Sequence, residues 1–273
     1  TGKNIIGELT SSENRIWVDY DDVPKYLRDA LVAIEDERFE KHSGVDLIGL
    51  LRAVFKKITN PSTPMAGAST ITQQVIKNIT GEDQRSIQRK VQEQWRAIML
   101  EKKLAKWEIL QIYMNVICTG VNMYDVQVAA NTYFNKDVSE LTLAECASIA
   151  GITNNPAKYN PFTTKGRENN KKRQMDVLRK MLELGFITQE EYDTASKEEL
   201  KFFEGEKQET VKSSYQSYFV DQVVLDVKKD LMAQGMSETM ALNLIYNTGL
   251  KIYTTMNTEI QNAVDEVFLN DNY

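Results

Sequence analysis

Several acidic side chains crowd into one short segment of the sequence, and they could carry acid–base chemistry. Glu35, Asp36, Glu37 and Glu40 lie at the predicted carboxyl end of a helix. The negative end of the helix dipole and the like-charged neighbours disfavour ionisation of a carboxylate there, which suits a general base. A solvated acidic helix end explains the same residues, and from this segment alone it is the favoured interpretation.

A second segment, residues 67–78, combines a helix start with amide and ammonium side chains. Ser69 or Thr70 can cap the helix, whose free N–H groups would then be available to an anion. Gln73, Gln74 and Lys77 are spaced to share one helix face, where they suit sugar hydroxyls and phosphate oxygens. An ordinary capped polar helix explains this segment equally well.

A third segment places Arg85, Arg89 and Glu93 in one row of a helix, with Lys90 beside them. Taken alone, this row is typical of a surface ladder of ion pairs worth a few tenths of a kcal/mol per pair. A functional interpretation therefore depends on the rest of the chain.

The elements that must position these residues are mostly helices. Apolar periodicity and start and stop signals predict helices from about Asp21 to Glu37, from Ser69 or Thr70 onward, and over residues 47–58, 85–115, 141–152, 167–184 and 218–234. A loop is predicted over 59–67 and a strand or linker over 197–217. In the long helix, the expected core contacts are Ile87, Val91, Trp95, Ile98, Ile109 and Ile112. Residues 16–18 and 250–255 have strand-like patterns, so we expect a mainly α fold with small β elements near the N- and C-terminal ends.

Composition and charge narrow the class of protein. The chain has 273 residues, 42% of them hydrophobic, which is enough for a buried core, and its net charge of −6 disfavours a nucleic-acid-binding role. Cys118, Cys146 and the single His42 form no zinc-binding pattern. The cysteines are best interpreted as small hydrophobic residues, and a single disulfide between them is the alternative.

Together, these segments resemble the peptidoglycan glycosyltransferase domain of class A penicillin-binding proteins and related monofunctional enzymes. Residues 35–44 match Glu-Asp-x-x-Phe-x-x-His-x-Gly, and residues 67–78 match Gly-x-Ser-x-Ile-x-Gln-Gln-x-x-Lys-Asn. Arg89-Lys90 with Glu93 match the pattern Arg-Lys-x-x-Glu, and residues 106–115 nearly match Lys-x-x-Ile-Leu-x-x-Tyr-x-Asn. Arg173 with Val177-Leu178 match the last pattern, Arg-x-x-x-Val-Leu. All occur in the family's order, which makes the resemblance highly specific. The chain departs from the family pattern over 116–125, a loop expected on the growing-chain side of the cleft.

The resemblance implies a lysozyme-like glycosyltransferase fold and inverting polymerisation of lipid II into β-1,4-linked glycan strands, with release of undecaprenyl pyrophosphate. Glu35 would be the catalytic base. Glu93, the second catalytic carboxylate, would organise the basic cluster or hold a divalent cation, Mg²⁺ or Mn²⁺; no organic cofactor is expected. His42 would be structural. The expected substrate-binding residues are Phe39, Ser69, Gln73, Gln74, Lys77, Arg85, Arg89 and Arg173, of which Lys77, Arg85 and Arg89 would face the pyrophosphate.

The resemblance also suggests domains, partners and location. Residues 1–195 would form the glycosyltransferase domain, and residues 196–273 a linker leading toward a transpeptidase domain absent from the chain. Consistent with this, no Ser-x-x-Lys occurs, and hence no penicillin-reactive serine. We expect an excised chain without its membrane anchor, acting at the outer face of the bacterial cytoplasmic membrane. Its partners would be lipid II, the growing glycan strand, the membrane surface and moenomycin-type inhibitors.

Two interpretations compete at residues 47–57, and two compete for the whole chain. The apolar, basic-ended segment 47–57 is either a core helix or, as the family suggests, a surface that enters the bilayer interface. For the chain, the alternatives are a lysozyme-like hydrolase or lytic enzyme and a non-catalytic scaffold. The basic residues and paired glutamines disfavour the hydrolase, because a neutral glycan needs no pyrophosphate site. Retention of Glu35 and Glu93 disfavours the scaffold.

Overall fold

A computed structural model describes residues 16–60, 69–82, 84, 86–120, 123–203, 218–247, 250–257 and 260–261, and the protein is described over these ranges. The helices are α1 Lys25–Glu35, α2 Leu47–Thr59, α3 Ile71–Thr80, α4 Ile87–Glu101, α5 Lys106–Val116, α6 Val126–Phe134, α7 Leu143–Ile152, α8 Thr164–Glu183, α9 Gln189–Lys197, α10 Tyr218–Ala233 and α11 Glu238–Asn247. Strands β1 Cys118–Gly120 and β2 Met123–Tyr124 form an antiparallel pair. Single 3₁₀ turns cover Tyr20–Asp22, Phe39–Lys41 and Val138–Glu140.

The fold is organised around α7, which is buried along its whole length. A helix that is apolar on all sides needs partners on all sides, and α7 packs against α8 and α1 in particular. The contact with α8 is close at Gly151, where an added Cβ would lie 2.9 Å from Cγ of Arg173. A second group of helices is formed by α3 against α4 and α5. The site lies where α1 and α7 meet α3.

The prediction of a mainly helical protein is confirmed, and most predicted helices occur with shifted ends. The long helix expected over 85–115 is wrong, since it breaks into α4 and α5. Lys106 stabilises this break, because its ammonium binds Glu101 Oε2 (2.7 Å) and the carbonyl oxygen of His42 (2.8 Å). Helices α6, α9 and α11 were not predicted. Of the loop predicted over 59–67, Thr59 still belongs to α2 and residues 61–67 lie outside the described residues, as do residues 204–217 of the strand or linker predicted over 197–217.

Among the described residues, the strand-like runs 16–18 and 250–255 form no strand, and the small sheet lies at β1 and β2 in the middle of the chain. Residues 16–18 are extended, but side chains satisfy their backbone: Asp125 Oδ2 accepts from the Ile16 amide (2.6 Å), and the Asn115 side chain both accepts from and donates to Val18 (2.8 and 2.9 Å). Residues 250–257 form no strand pair with any described residue. Both cysteines are free, as favoured by the sequence.

Three of the expected core contacts in α4 are also wrong. Ile87, Val91 and Trp95 are 86%, 58% and 63% exposed, and they form one apolar row at a spacing of four residues. The sequence pattern was correct about the shared face but not about its surroundings, since no described residue covers this row. Ile109 of α5 is fully buried, as expected.

Candidate active site

The acidic segment at the end of α1 is divided between two environments by the backbone. α1 buries Leu27, Ala30, Leu31 and Ala33 on its inner face, which places Glu35 as its last residue at the edge of the core. Asp36 leaves the helical conformation, and its side chain is buried. Glu35 therefore faces an open cleft of about 350 Å³, whose lining includes Asp36, Glu37, Asp46, Leu50, Arg52, Ser69, Thr70 and Lys180.

Both oxygens of the Glu35 carboxylate are held by side chains from other helices. Gln74 Nε2 of α3 donates to Oε2 (2.9 Å), and the hydroxyl of Thr153, at the end of α7, lies 3.2 Å from Oε1. The hydroxyl of Tyr113, on α5, donates to Gln74 Oε1 (3.4 Å). Burial, together with the charge of Glu35, raises the pKa of Tyr113 well above its usual value, so the phenol stays protonated and able to donate.

Asp36 joins the catalytic segment to the start of α3. Its Oδ2 accepts from the Ile71 amide (3.0 Å) and from Nε2 of His42 (2.8 Å). The His42 tautomer follows from the neighbouring contact, because Nδ1 accepts from the amide of Gly44 (3.2 Å) and Nε2 must then carry the proton. These contacts fit the structural role that the resemblance implies for His42.

The loop that follows is fixed against α4 at Gly44. Gly44 has φ of 92°, and an added Cβ would lie 2.7 Å from the backbone of Ala97, so only glycine fits here. The carbonyl of Gly44 accepts from Thr70, the residue that caps α3. The start of α3 therefore has fewer free amides for an anion than expected, because the Ile71 amide donates to Asp36 and the Gln73 amide donates to Thr70.

A basic cluster forms around Glu93, which is buried on α4. Arg89 Nη1 binds Glu93 Oε2 (2.5 Å), and Lys90 binds Oε1. Lys90 also donates to Ser69 Oγ (2.8 Å) and to Gln73 Oε1 (3.2 Å). Because Ser69 lines the cleft that contains Glu35, this cluster reaches the same cleft as the predicted base. Lys90 was not among the predicted site residues, although its pattern Arg-Lys-x-x-Glu was noted.

The structure separates other predicted site residues from one another. Gln73, Gln74 and Lys77 do not share surroundings: Gln73 is buried toward α4, Gln74 binds Glu35, and Lys77 is exposed. Phe39 is fully buried beneath Lys106, 4.4 Å from ring centre to ammonium, so the expected substrate contact is corrected to a core role. Arg173 packs against Gly151, and Arg85 lies outside the described residues.

The contacts of the Glu93 carboxylate do not support the metal-binding role that was expected of it. Both of its carboxylate oxygens are bound to cationic side chains. Within the described part of the chain, no group of three or more His, Cys, Asp or Glu side chains could hold a metal ion. The described residues around Glu93 therefore do not fit a metal centre built by the protein.

Sequence patterns missed several residues that shape the cleft. Thr153 lies outside all the motifs, and Lys180 is one of many charged residues on α8, with no pattern that distinguishes it. Glu37 accepts from Arg52 Nη1 of α2 (2.5 Å) and from Lys180 Nζ of α8 (2.8 Å), which joins these two helices to the turn after α1 at the cleft wall. The hydrogen bonds from Lys180 and then Arg52 hold the pKa of Glu37 below its usual value, against the smaller effect of burial.

This cluster predicts a pH-dependent contribution to stability. A carboxylate with a lowered pKa stabilises the fold above its unfolded value of about 4.3, and that stabilisation is lost as the pH falls through the folded value. Glu37→Gln should therefore lower the melting temperature at pH 7, and lower it by less at pH 3. Thermal unfolding of wild type, Glu37→Gln and the exposed control Glu40→Gln at both pH values tests this, and an equal loss from Glu37→Gln at both would contradict it.

Comparison with known proteins shows which family the chain belongs to. The family model described as Transglycosylase matches residues 2–182. Penicillin-binding protein 1A of Clostridium botulinum (strain Langeland / NCTC 10281 / Type F) is 42% identical over 279 residues, covering 97% of this chain and 33% of that protein. Penicillin-binding protein 1A of Neisseria flavescens is 40% identical over 262 residues, covering 96% and 31%. A 2.6 Å crystal structure of penicillin-binding protein 1A from Haemophilus influenzae is 26% identical with a TM-score of 0.43, covering 96% of this chain and 26% of that chain.

The chain therefore belongs to the transglycosylase family, and the resemblance drawn from its motifs is confirmed. It is a glycosyltransferase domain of the kind found in penicillin-binding proteins, and it spans about a third of the length of the curated relatives it matches.

Proposed function

We propose that the chain polymerises lipid II into β-1,4-linked glycan strands with inversion at the donor anomeric carbon. The observation that carries this proposal is the single cleft in which the Glu35 carboxylate lies near Ser69, the contact point of the Lys90–Arg89–Glu93 cluster. A base in the cleft and a cationic cluster that contacts the cleft at Ser69 match the two needs of the reaction, removal of an acceptor proton and stabilisation of a leaving pyrophosphate.

Each part of the reaction has a residue to perform it. The acceptor 4-hydroxyl attacks the donor anomeric carbon, its proton passes to Glu35, and the bond to the undecaprenyl pyrophosphate breaks with the electron pair leaving on the phosphate oxygen. Lys90 and Arg89, kept in place by Glu93, stabilise that developing charge, with Lys77 and Arg85 as further cations. We assign Glu93 this organising role; a divalent cation bound mainly by the pyrophosphate stays a prediction.

Two buried donors add support for a polar substrate. Gln73 Nε2 and Arg173 Nε, like Arg28 Nε, have no hydrogen-bond partner among the described residues, and the first two belong to the expected substrate-binding set. Buried donors are nearly always paired, so we propose that substrate oxygens pair with them, which keeps both in the expected substrate-binding set. Moenomycin-type inhibitors, which resemble the lipid-linked donor, would occupy the same cleft.

A lysozyme-like hydrolase remains the alternative, and one experiment separates it from a polymerase. The chain is incubated with labelled lipid II and, separately, with uncrosslinked glycan strands. The proposal expects polymer from lipid II and no shortening of the strands. Shortened strands without polymer would favour the hydrolase.

We further propose that α2 enters the interface of the membrane that carries the lipid substrate, at the outer face of the bacterial cytoplasmic membrane. Its core-helix interpretation is wrong, since Leu47, Leu51, Phe55 and Ile58 are exposed. An exposed apolar stripe of this size, followed by basic residues in the sequence, is typical of interfacial helices. Among the described residues, no helix is both long and apolar enough to cross a membrane.

Liposome flotation tests this membrane surface. The double variant Leu51→Glu, Phe55→Glu should lose most of its binding to anionic vesicles, because each position is 69% exposed and a buried charge is costly in the interface. Leu225→Glu on α10, at a position 51% exposed, is the matched control and should float like wild type. Equal flotation of the double variant and wild type would contradict the proposal.

A further inference from the structure

The hydroxyl of Thr153 meets the proposed catalytic base from a helix that no sequence motif connects with the site. Thr153 is the residue directly after α7, and its Oγ1 lies 3.2 Å from Glu35 Oε1. The opposite carboxylate oxygen accepts from Gln74 Nε2 at 2.9 Å. A carboxylate held at both oxygens by groups from two different helices is prevented from rotating about its terminal torsion angle.

We propose that Thr153 is a positioning residue of the reaction, which holds the Glu35 carboxylate in the orientation that accepts the proton of the acceptor hydroxyl. This inference rests on the proposed function, in which Glu35 is the base. An ionised carboxylate has about four acceptor positions. Thr153 and Gln74 together occupy two of them and leave the others for the acceptor hydroxyl in the cleft.

The supports of the carboxylate are themselves fixed. Gln74 must direct its amide nitrogen at Glu35, since a carboxylate only accepts, and its oxygen is then correctly placed to accept from the buried Tyr113 hydroxyl. Thr153 follows a helix that is buried along its whole length. Neither support belongs to an exposed side chain, so the carboxylate is oriented before the substrate arrives, which is where positioning contributes most to rate.

The Thr153 hydroxyl also has a second acceptor, and this gives it a role after the proton moves. Its Oγ1 lies 2.9 Å from the carbonyl oxygen of Ala150, one turn earlier in α7. A hydroxyl has a single proton to donate. The Ala150 carbonyl is the nearer acceptor (2.9 against 3.2 Å), but an ionised carboxylate is the stronger one, so we assign the proton to Glu35 while it is ionised. Once Glu35 has become protonated, the hydroxyl donates to Ala150 and is not left unpaired. The same side chain therefore accommodates both protonation states of the base.

The matched substitutions are Thr153→Val, which keeps the shape and removes the hydroxyl, and Thr153→Ser, which keeps the hydroxyl. We expect Thr153→Val to lower kcat for lipid II polymerisation by about 10-fold or more while KM changes by less than about 2-fold, because orientation of the base acts on the chemical step. Thr153→Ser should retain kcat within about 3-fold of wild type. Thermal unfolding of both variants shows whether the fold is kept.

The outcomes separate this inference from the proposed function. A low kcat for Thr153→Val that Thr153→Ser restores supports the positioning role. An unchanged kcat for Thr153→Val, a change confined to KM, or an equal fall in both variants overturns it. Glu35→Gln is measured in parallel: if it retains activity, the proposed function fails, whereas an inactive Glu35→Gln with a fully active Thr153→Val refutes the positioning role alone.

Discussion

Glu35→Gln is expected to lower the rate of lipid II polymerisation by about 10²- to 10⁴-fold, the range that general base catalysis supplies. The substitution removes the proton acceptor and keeps the size of the side chain. Its amide oxygen can still accept from Gln74, and its amide nitrogen can donate to Thr153, so the contacts of the native site are replaced rather than lost. We therefore expect the melting temperature to stay close to that of wild type.

The matched control for this variant is Glu40→Gln. Glu40 belongs to the same acidic segment and is exposed, outside the lining of the cleft. It should polymerise lipid II at the wild-type rate. Equal rates for wild type and Glu35→Gln would remove Glu35 from the reaction, and a Glu40→Gln variant as slow as Glu35→Gln would show that general acidity of the segment, not one carboxylate, matters.

The second large effect is expected at Glu93. Glu93→Gln leaves Arg89 and Lys90 close together without the carboxylate that binds both. Lys90 should then withdraw from Ser69 and Gln73, which removes the cationic site from the cleft. We expect polymerisation to fall by about 10²-fold or more and the free energy of unfolding to fall by about 2–4 kcal/mol, since breaking a buried ion pair leaves its partners uncompensated.

Chemical denaturation and the lipid II assay measure these two effects together. Glu82 offers the control. Its carboxylate pairs at 2.9 Å with Arg96, which lies on α4 as Glu93 does, and the side chains of Glu82 and Arg96 are both about 40% exposed. Glu82→Gln should cost less than about 1 kcal/mol, as solvent-exposed pairs do. If Glu93→Gln is no more destabilising than Glu82→Gln and remains active, the organising role of Glu93 is wrong.

Local signals predicted those parts of the fold that depend on nearby residues. Pro24 predicted the start of α1, because proline favours the amino-terminal end of a helix, and Thr70 predicted the start of α3, where its side chain accepts from the Gln73 amide three positions later. The break between α4 and α5 has no glycine or proline to mark it. It depends on Lys106 reaching the loop at His42, a contact distant in sequence that no local pattern contains.

Periodicity predicts that a face exists but not what covers it. Ile87, Val91 and Trp95 share a face as predicted, yet they are exposed rather than buried in the core. Residues 250–255 likewise alternate as a strand would, but strand formation needs a partner, and none pairs with them within the described ranges. In both cases the missing information is the neighbour, which a single segment cannot supply.

The candidate site was predicted where motifs covered it and missed where the fold completed it. Glu35, Gln74, Ser69, Arg89 and Glu93 were identified from spacing and resemblance, and they meet around one cleft or beside it. Thr153 is 118 residues from Glu35 in sequence and belongs to no motif. It was therefore accessible only once the packing of α7 against α1 was known.

The linkage formed in the polymer tests the account most directly. Lipid II carries its donor sugar in an α-linkage, and attack by an acceptor activated by Glu35 inverts that centre. The product of the wild-type chain should therefore contain only β-1,4 bonds, seen as β-anomeric signals by NMR and as complete digestion by a muramidase specific for that bond. A polymer with α-linkages between its sugars, or release of free sugar in place of polymer, would contradict the mechanism proposed for Glu35.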